Sequence, residues 1–85
     1  MDRDEVWRTM VIAVREETGA PEAVVEPAMT ANHIPGWDSL AHVRIVMNME
    51  ARTGAVIEMS DTYKAATVGD LCDIVLRNLE GATPA

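Results

Sequence analysis

With 85 residues, 48% of them hydrophobic, and a formal net charge of −7, the chain can build one small core but lacks the clustered cations that grip nucleic-acid phosphates. Only three aromatic residues are present (Trp7, Trp37, Tyr63), so the core falls to Val, Ile, Leu, Ala and Met. A lone Cys72 excludes an internal disulfide, and no Cys/His spacing suits zinc, so no metal site is expected. The opening Met1-Asp2-Arg3-Asp4-Glu5 is acidic and precedes no long apolar run; a signal peptide or membrane anchor is not expected, and the cytoplasm is the default location.

Val6, Met10, Ala13 and Val14 recur at helical spacing, with Trp7 and Val11 widening the stripe, which predicts a helix over 2–18. Asp2, Asp4 and Glu5 suit its positive end, and Gly19 its stop. A long connection to Trp37 follows, punctuated by Gly19, Pro21, Pro27, Pro35 and Gly36. Its apolar Val24, Val25, Met29 and Ile34 are expected to lie across the core, with a short helical turn near 21–25. A second helix is expected from Asp38 or Ser39 to about Thr53. Leu40, Val43, Val46 and Met47 form its stripe, Ile45 and Met49 stand beside it, and Gly54 stops it.

Residues 55–59 read as an apolar connector, and Ser60-Asp61 as the cap of a brief helix through Ala65. Thr67, with Asp70 three residues on, caps a last helix whose inner face is Val68, Leu71, Cys72, Val75 and Leu79, flanked by Ile74 and Leu76. Cys72 is expected there as a small buried hydrophobe. The expected fold is therefore all-α: a small four-helix bundle of three longer helices and one short one, in a single domain over 1–81, with a frayed tail at 82–85.

Ser39 stands beside Asp38 at the mouth of the second helix. Either side chain can cap that helix, an interaction worth roughly 0.5–2 kcal/mol. A nucleophilic role would need a base held by an orienting group. The two histidines are His33 and His42; His42 lies one turn beyond Ser39, but nothing in the sequence orients it, and a nucleophile elbow carries glycines on both sides of its serine. No enzyme is expected.

The segment Pro35-Gly36-Trp37-Asp38-Ser39-Leu40-Ala41-His42-Val43 resembles the modification site of the acyl carrier proteins and related peptidyl carrier domains. The likeness extends through the first helix, the proline-bearing loop, the apolar second helix, the Ile57 connector, the short third helix and the Thr67-Val68 entry to the last. It implies that a phosphopantetheinyl transferase attaches 4′-phosphopantetheine from coenzyme A to Ser39, and that the arm carries acyl or aminoacyl cargo as a thioester. A phosphodiester at that helix start would meet free backbone N–H groups and a favourable dipole. Further implied partners are a loading enzyme and downstream synthase or tailoring enzymes, with no nucleic acid or membrane, and a monomeric carrier is expected.

The resemblance gives Asp38 and Leu40 to partner recognition. Trp37, Val43, Arg44 and Met47 complete that set, although Val43 and Met47 also fall on the expected inner stripe and Trp37 also suits an anchor for the loop. The second helix departs from the strongly acidic pattern of fatty-acid carriers, because Arg44 and Arg52 offset Asp38 and Glu50. The Gly36-Trp37-Asp38-Ser39-Leu40-Ala41-His42-Val43 form resembles stand-alone carriers of polyketide or nonribosomal peptide pathways. A fatty-acid carrier and an unmodified helical adaptor of the same fold are the alternatives.

Overall fold

Reciprocal caps set the two outer helices. Asp2 accepts from the Glu5 amide (2.8 Å) while Glu5 accepts from the Asp2 amide (3.3 Å), so helix α1 runs Arg3–Thr18 and ends at Gly19 in the left-handed region. The same box recurs at the last helix, where Asp70 N–H donates to Thr67 Oγ1 (3.1 Å) and Thr67 N–H to Asp70 Oδ2 (3.2 Å). The computed structural model describes residues 1–81 and adds α2 (Ser39–Thr53), α3 (Met59–Thr62) and α4 (Val68–Gly81), with one 3-10 turn at Ala31–His33. The all-α expectation holds among the described residues; the expected tail at 82–85 lies outside them.

Helix α1 packs against both α2 and α4, and α3 bridges the latter two. Val6, Met10, Ala13 and Val14 of α1 are fully buried against Ile45, Val46 and Met49 of α2 and Val68, Leu71, Cys72 and Val75 of α4. Burying each large aliphatic side chain contributes about 1.5–3 kcal/mol, which no isolated helix of this length could supply for itself. Ile74, expected at the flank of α4, belongs to this core. Burial also raises the Cys72 thiol pKa, so that group stays an inert filler.

Four expectations need correcting. The inner face of α2 is Ala41, Ile45, Val46 and Met49, whereas Leu40 and Met47 are 58% exposed and Val43 lies between. No helical turn forms at 21–25: Ala23 N–H bonds to Ala20 O (3.1 Å) around Pro21, and Arg15 Nε takes the Ala23 carbonyl (2.9 Å) that a helix would have used. Val24 is exposed rather than laid on the core, while Ile34 is buried. Helix α3 begins earlier and is shorter than expected; Glu58 precedes it, so Ser60 and Asp61 lie within the helix rather than capping it.

The long loop is tied down by its own carbonyls. Met29 O accepts from Val68 N–H (2.8 Å) and Pro27 O from Gly69 N–H (2.9 Å), so the loop and the Thr67–Asp70 box together satisfy the amides that open α4. At its far end Gly36 (φ 86°) passes so close to α1 that a Cβ there would sit 2.6 Å from Thr18 O. Gly54, also at positive φ (78°), has open space around it.

This contrast gives a direct test. Gly54→Ala should cost about 1 kcal/mol for the left-handed backbone alone, and Gly36→Ala roughly 3 kcal/mol because the backbone contact adds to it. Urea unfolding of both variants measures the difference; equal costs would show that the loop can move off α1.

Candidate functional site at the start of helix α2

Asp38 is the N-cap of α2, its Oδ1 accepting from Ala41 N–H (2.8 Å) and its carbonyl from His42 N–H (2.9 Å). Ser39 is therefore the first helical residue, and capping does not consume its hydroxyl. The side chain is exposed, and its Oγ has no hydrogen-bond partner among the described residues. The amides of Ser39 and Leu40 likewise have no acceptor within the described chain. One exposed hydroxyl and two outward N–H groups thus share the positive end of a 15-residue helix.

His42 does not serve Ser39. Its Nδ1 accepts from Trp37 Nε1–H (3.3 Å), and its Nε2 lies 2.8 Å from Thr62 Oγ1. An indole N–H only donates, so Nδ1 is unprotonated and the neutral ring carries its proton on Nε2, directed at Thr62. Thr62 in turn donates to Met59 O (2.6 Å) and is the buried polar residue of α3. Tyr63 stacks on the imidazole at 4.6 Å between centroids. Sequence reasoning found nothing that orients His42; three groups do so, two of them from the α3 region, about 20 residues away. The other histidine, His33, accepts the Thr30 amide on Nδ1 (3.0 Å) and closes the 3-10 turn.

The six residues expected to meet partners divide by environment. Trp37 is half-buried, packs on the core and acts as an anchor. Asp38 is exposed, but one carboxylate oxygen is committed to the cap. Leu40, Arg44 and Met47 share the outward face of α2, with Val43 at its margin. The other charges of that helix are engaged. Glu50 Oε2 accepts Ile57 N–H (3.0 Å), and Arg52 bonds Glu16 (2.7 Å) and Asn48 (2.7 Å). Asn48 and then Arg52 hold the Glu16 pKa below its ordinary value. Beside the site, Trp37, His42, Thr62, Val68 and Leu71 line a cleft of about 60 Å³.

Comparison with known proteins places this arrangement. The chain is 31% identical over 78 residues to the acyl carrier protein of Thermotoga maritima, a match covering 91% of this chain and 95% of that relative. It belongs to the acyl carrier protein family, whose members are carriers rather than enzymes. No family model matches the chain, and no solved structure matches it significantly. Among the described residues no helix is long and apolar enough to cross a membrane.

The half-buried imidazole has a consequence for stability. Burial lowers the His42 pKa from 6.5, so the unfolded chain takes up that proton first as pH falls. The stabilisation is whole above pH 6.5 and is lost as pH drops through the folded-state value. Carboxylate effects, such as that of Glu16, enter only below about 4.5. Chemical denaturation of wild type and His42→Gln between pH 7.5 and 5 should show a falling stability in wild type that is flattened in the variant. Parallel curves would remove His42 as the cause.

Proposed function

We propose that Ser39 is the attachment point of a 4′-phosphopantetheine arm on which this carrier presents acyl or aminoacyl groups to partner enzymes. The observation that carries this reading is the exposed, unbonded Ser39 hydroxyl at the capped start of α2. The residues present fit the group. Asp38 does the capping, the Ser39 and Leu40 amides offer donors to a phosphodiester, and the side chain points to solvent without disturbing the core. When attached, the arm supplies a terminal thiol that holds cargo as a thioester.

In the modification step Ser39 Oγ forms a bond to the phosphorus of coenzyme A that bears the pantetheine. The bond from that phosphorus to the bridging pyrophosphate oxygen breaks, adenosine 3′,5′-bisphosphate leaves, and the serine proton passes to a base of the transferase. The carrier contributes the oriented hydroxyl and afterwards a tether that raises local cargo concentration. Leu40, Arg44 and Met47, with Val43 and the exposed parts of Trp37 and Asp38, form the face met by the transferase, the loading enzyme and downstream synthase or tailoring enzymes.

Short cargo in a polyketide or nonribosomal peptide type of pathway fits best. The cleft beside the site, about 60 Å³, has room for a few water-sized groups and not for an extended alkyl chain. The two larger grooves, about 260 and 250 Å³, lie along α3 and α4 among Asp61, Lys64, Asp70, Asp73 and Arg77, poor surroundings for an alkyl chain. A fatty-acid carrier remains the second reading, favoured by the net charge of −7.

Intact mass after incubation with coenzyme A and a broad-specificity transferase should rise by one phosphopantetheine group in wild type and stay unchanged in Ser39→Ala. An unmodified wild type would leave the helical-adaptor reading standing. Offering the modified protein to candidate loading enzymes then tests cargo, and exclusive loading with long fatty acyl chains would count against the short-cargo reading.

A further inference from the structure

His42 links the loop before Ser39, the helix that starts at Ser39, and α3. Its backbone belongs to the first turn and a half of α2, its Nδ1 takes the Trp37 indole proton, and its Nε2 proton goes to Thr62. Trp37 immediately precedes the Asp38 cap, so whatever fixes the indole fixes the segment that delivers the cap. Residues 34–38 are held by Ile34 in the core, Gly36 against Thr18, the Trp37 N–H to Ile34 O bond (3.3 Å) and the packing of Trp37 on the core. The Trp37–His42 bond ties the indole to α2.

We infer that His42 is the positioning residue of the modification site: acting through Trp37, it holds the Asp38 cap and hence the Ser39 hydroxyl in one orientation for the transferase. The inference rests on the reading of Ser39 as the attachment point. It assigns the imidazole no proton transfer, because both ring nitrogens are committed to other partners and neither bonds Ser39.

The two ring nitrogens can be tested separately. Asparagine at position 42 places an acceptor near the Nδ1 position and keeps the Trp37 bond; glutamine places a polar group near the Nε2 position and keeps the Thr62 bond. The readout is the steady-state rate of modification by a broad-specificity phosphopantetheinyl transferase with coenzyme A. His42→Ala should lower kcat/KM about tenfold, a modest share of what misplacing a reacting atom by an ångström can cost. The loss should fall on kcat, because the outward face with Leu40, Arg44 and Met47 is untouched. His42→Asn should recover most of that rate and His42→Gln should not.

Indole emission in a Trp7→Phe background reports Trp37 directly, and should match wild type in His42→Asn while shifting to the red in His42→Gln. Recovery by glutamine and not asparagine, or equal rates in all three variants, would overturn the role of Trp37. The asparagine–glutamine pair carries the test even if the alanine variant fails to fold. A wild-type protein left unmodified would instead sink the carrier reading itself, and this inference with it.

Discussion

The site depends on a division of labour between two adjacent residues. A helix start leaves amides without partners, and serine and aspartate are both suited to fill that need. Here Asp38 takes the cap, bonding the Ala41 amide at 2.8 Å, and Ser39 is displaced to the first helical position. Had the order been reversed, the hydroxyl would be held against the backbone and a carboxylate would stand in its place. A serine at the cap is a structural device; one residue later, beside a filled cap, it is an exposed hydroxyl with no structural duty.

That arrangement works only if the cap is delivered to a fixed place, and the restraint comes from both ends of the long loop. At the start of α4, Met29 and Pro27 carbonyls accept the Val68 and Gly69 amides, so loop and helix satisfy one another. At the start of α2, the Gly36 backbone lies against Thr18 where no Cβ fits, Ile34 is buried, and Trp37 bonds His42. The loop is irregular in sequence because its order comes from single bonds to three different helices rather than from any repeat of its own.

Local chemistry was legible in the sequence and the choice of face was not. The Asp2–Glu5 and Thr67–Asp70 boxes and the glycine stops at Gly19 and Gly54 need only neighbouring residues, and α1, α4 and the limits of α2 followed from them. Helix α2 is apolar on most sides, so two stripes of helical period exist. Leu40–Val43–Met47 satisfies the period as well as Ala41–Ile45–Met49, and what selects the second is packing against α1 and burial in the shared core, which periodicity does not contain. The early start of α3 and the orientation of His42 were invisible for a related reason. Thr62, the partner that matters, lies 20 residues from His42 in sequence. The expected helix start at Asp38 or Ser39 needed only neighbouring residues, and α2 begins at Ser39 with Asp38 as its cap.

Charge counted along the sequence also misstates what a partner meets. Of the four ionised groups of α2 and its cap, Glu50 receives the Ile57 amide, Arg52 is held by Glu16 and Asn48, and one Asp38 oxygen belongs to the cap. Arg44 is left as the cation between the exposed Leu40 and Met47. At physiological salt, charges beyond about 8 Å are largely screened, so the net charge of −7 acts on encounter, and under the proposed reading this small face would act on contact. A basic partner is drawn in by the first and meets a like charge in the second. If the proposed partners dock on this face, a surface that is basic at its rim and neutral or acidic at its centre would satisfy both, and discrimination would then turn on the single cation at the middle of the face.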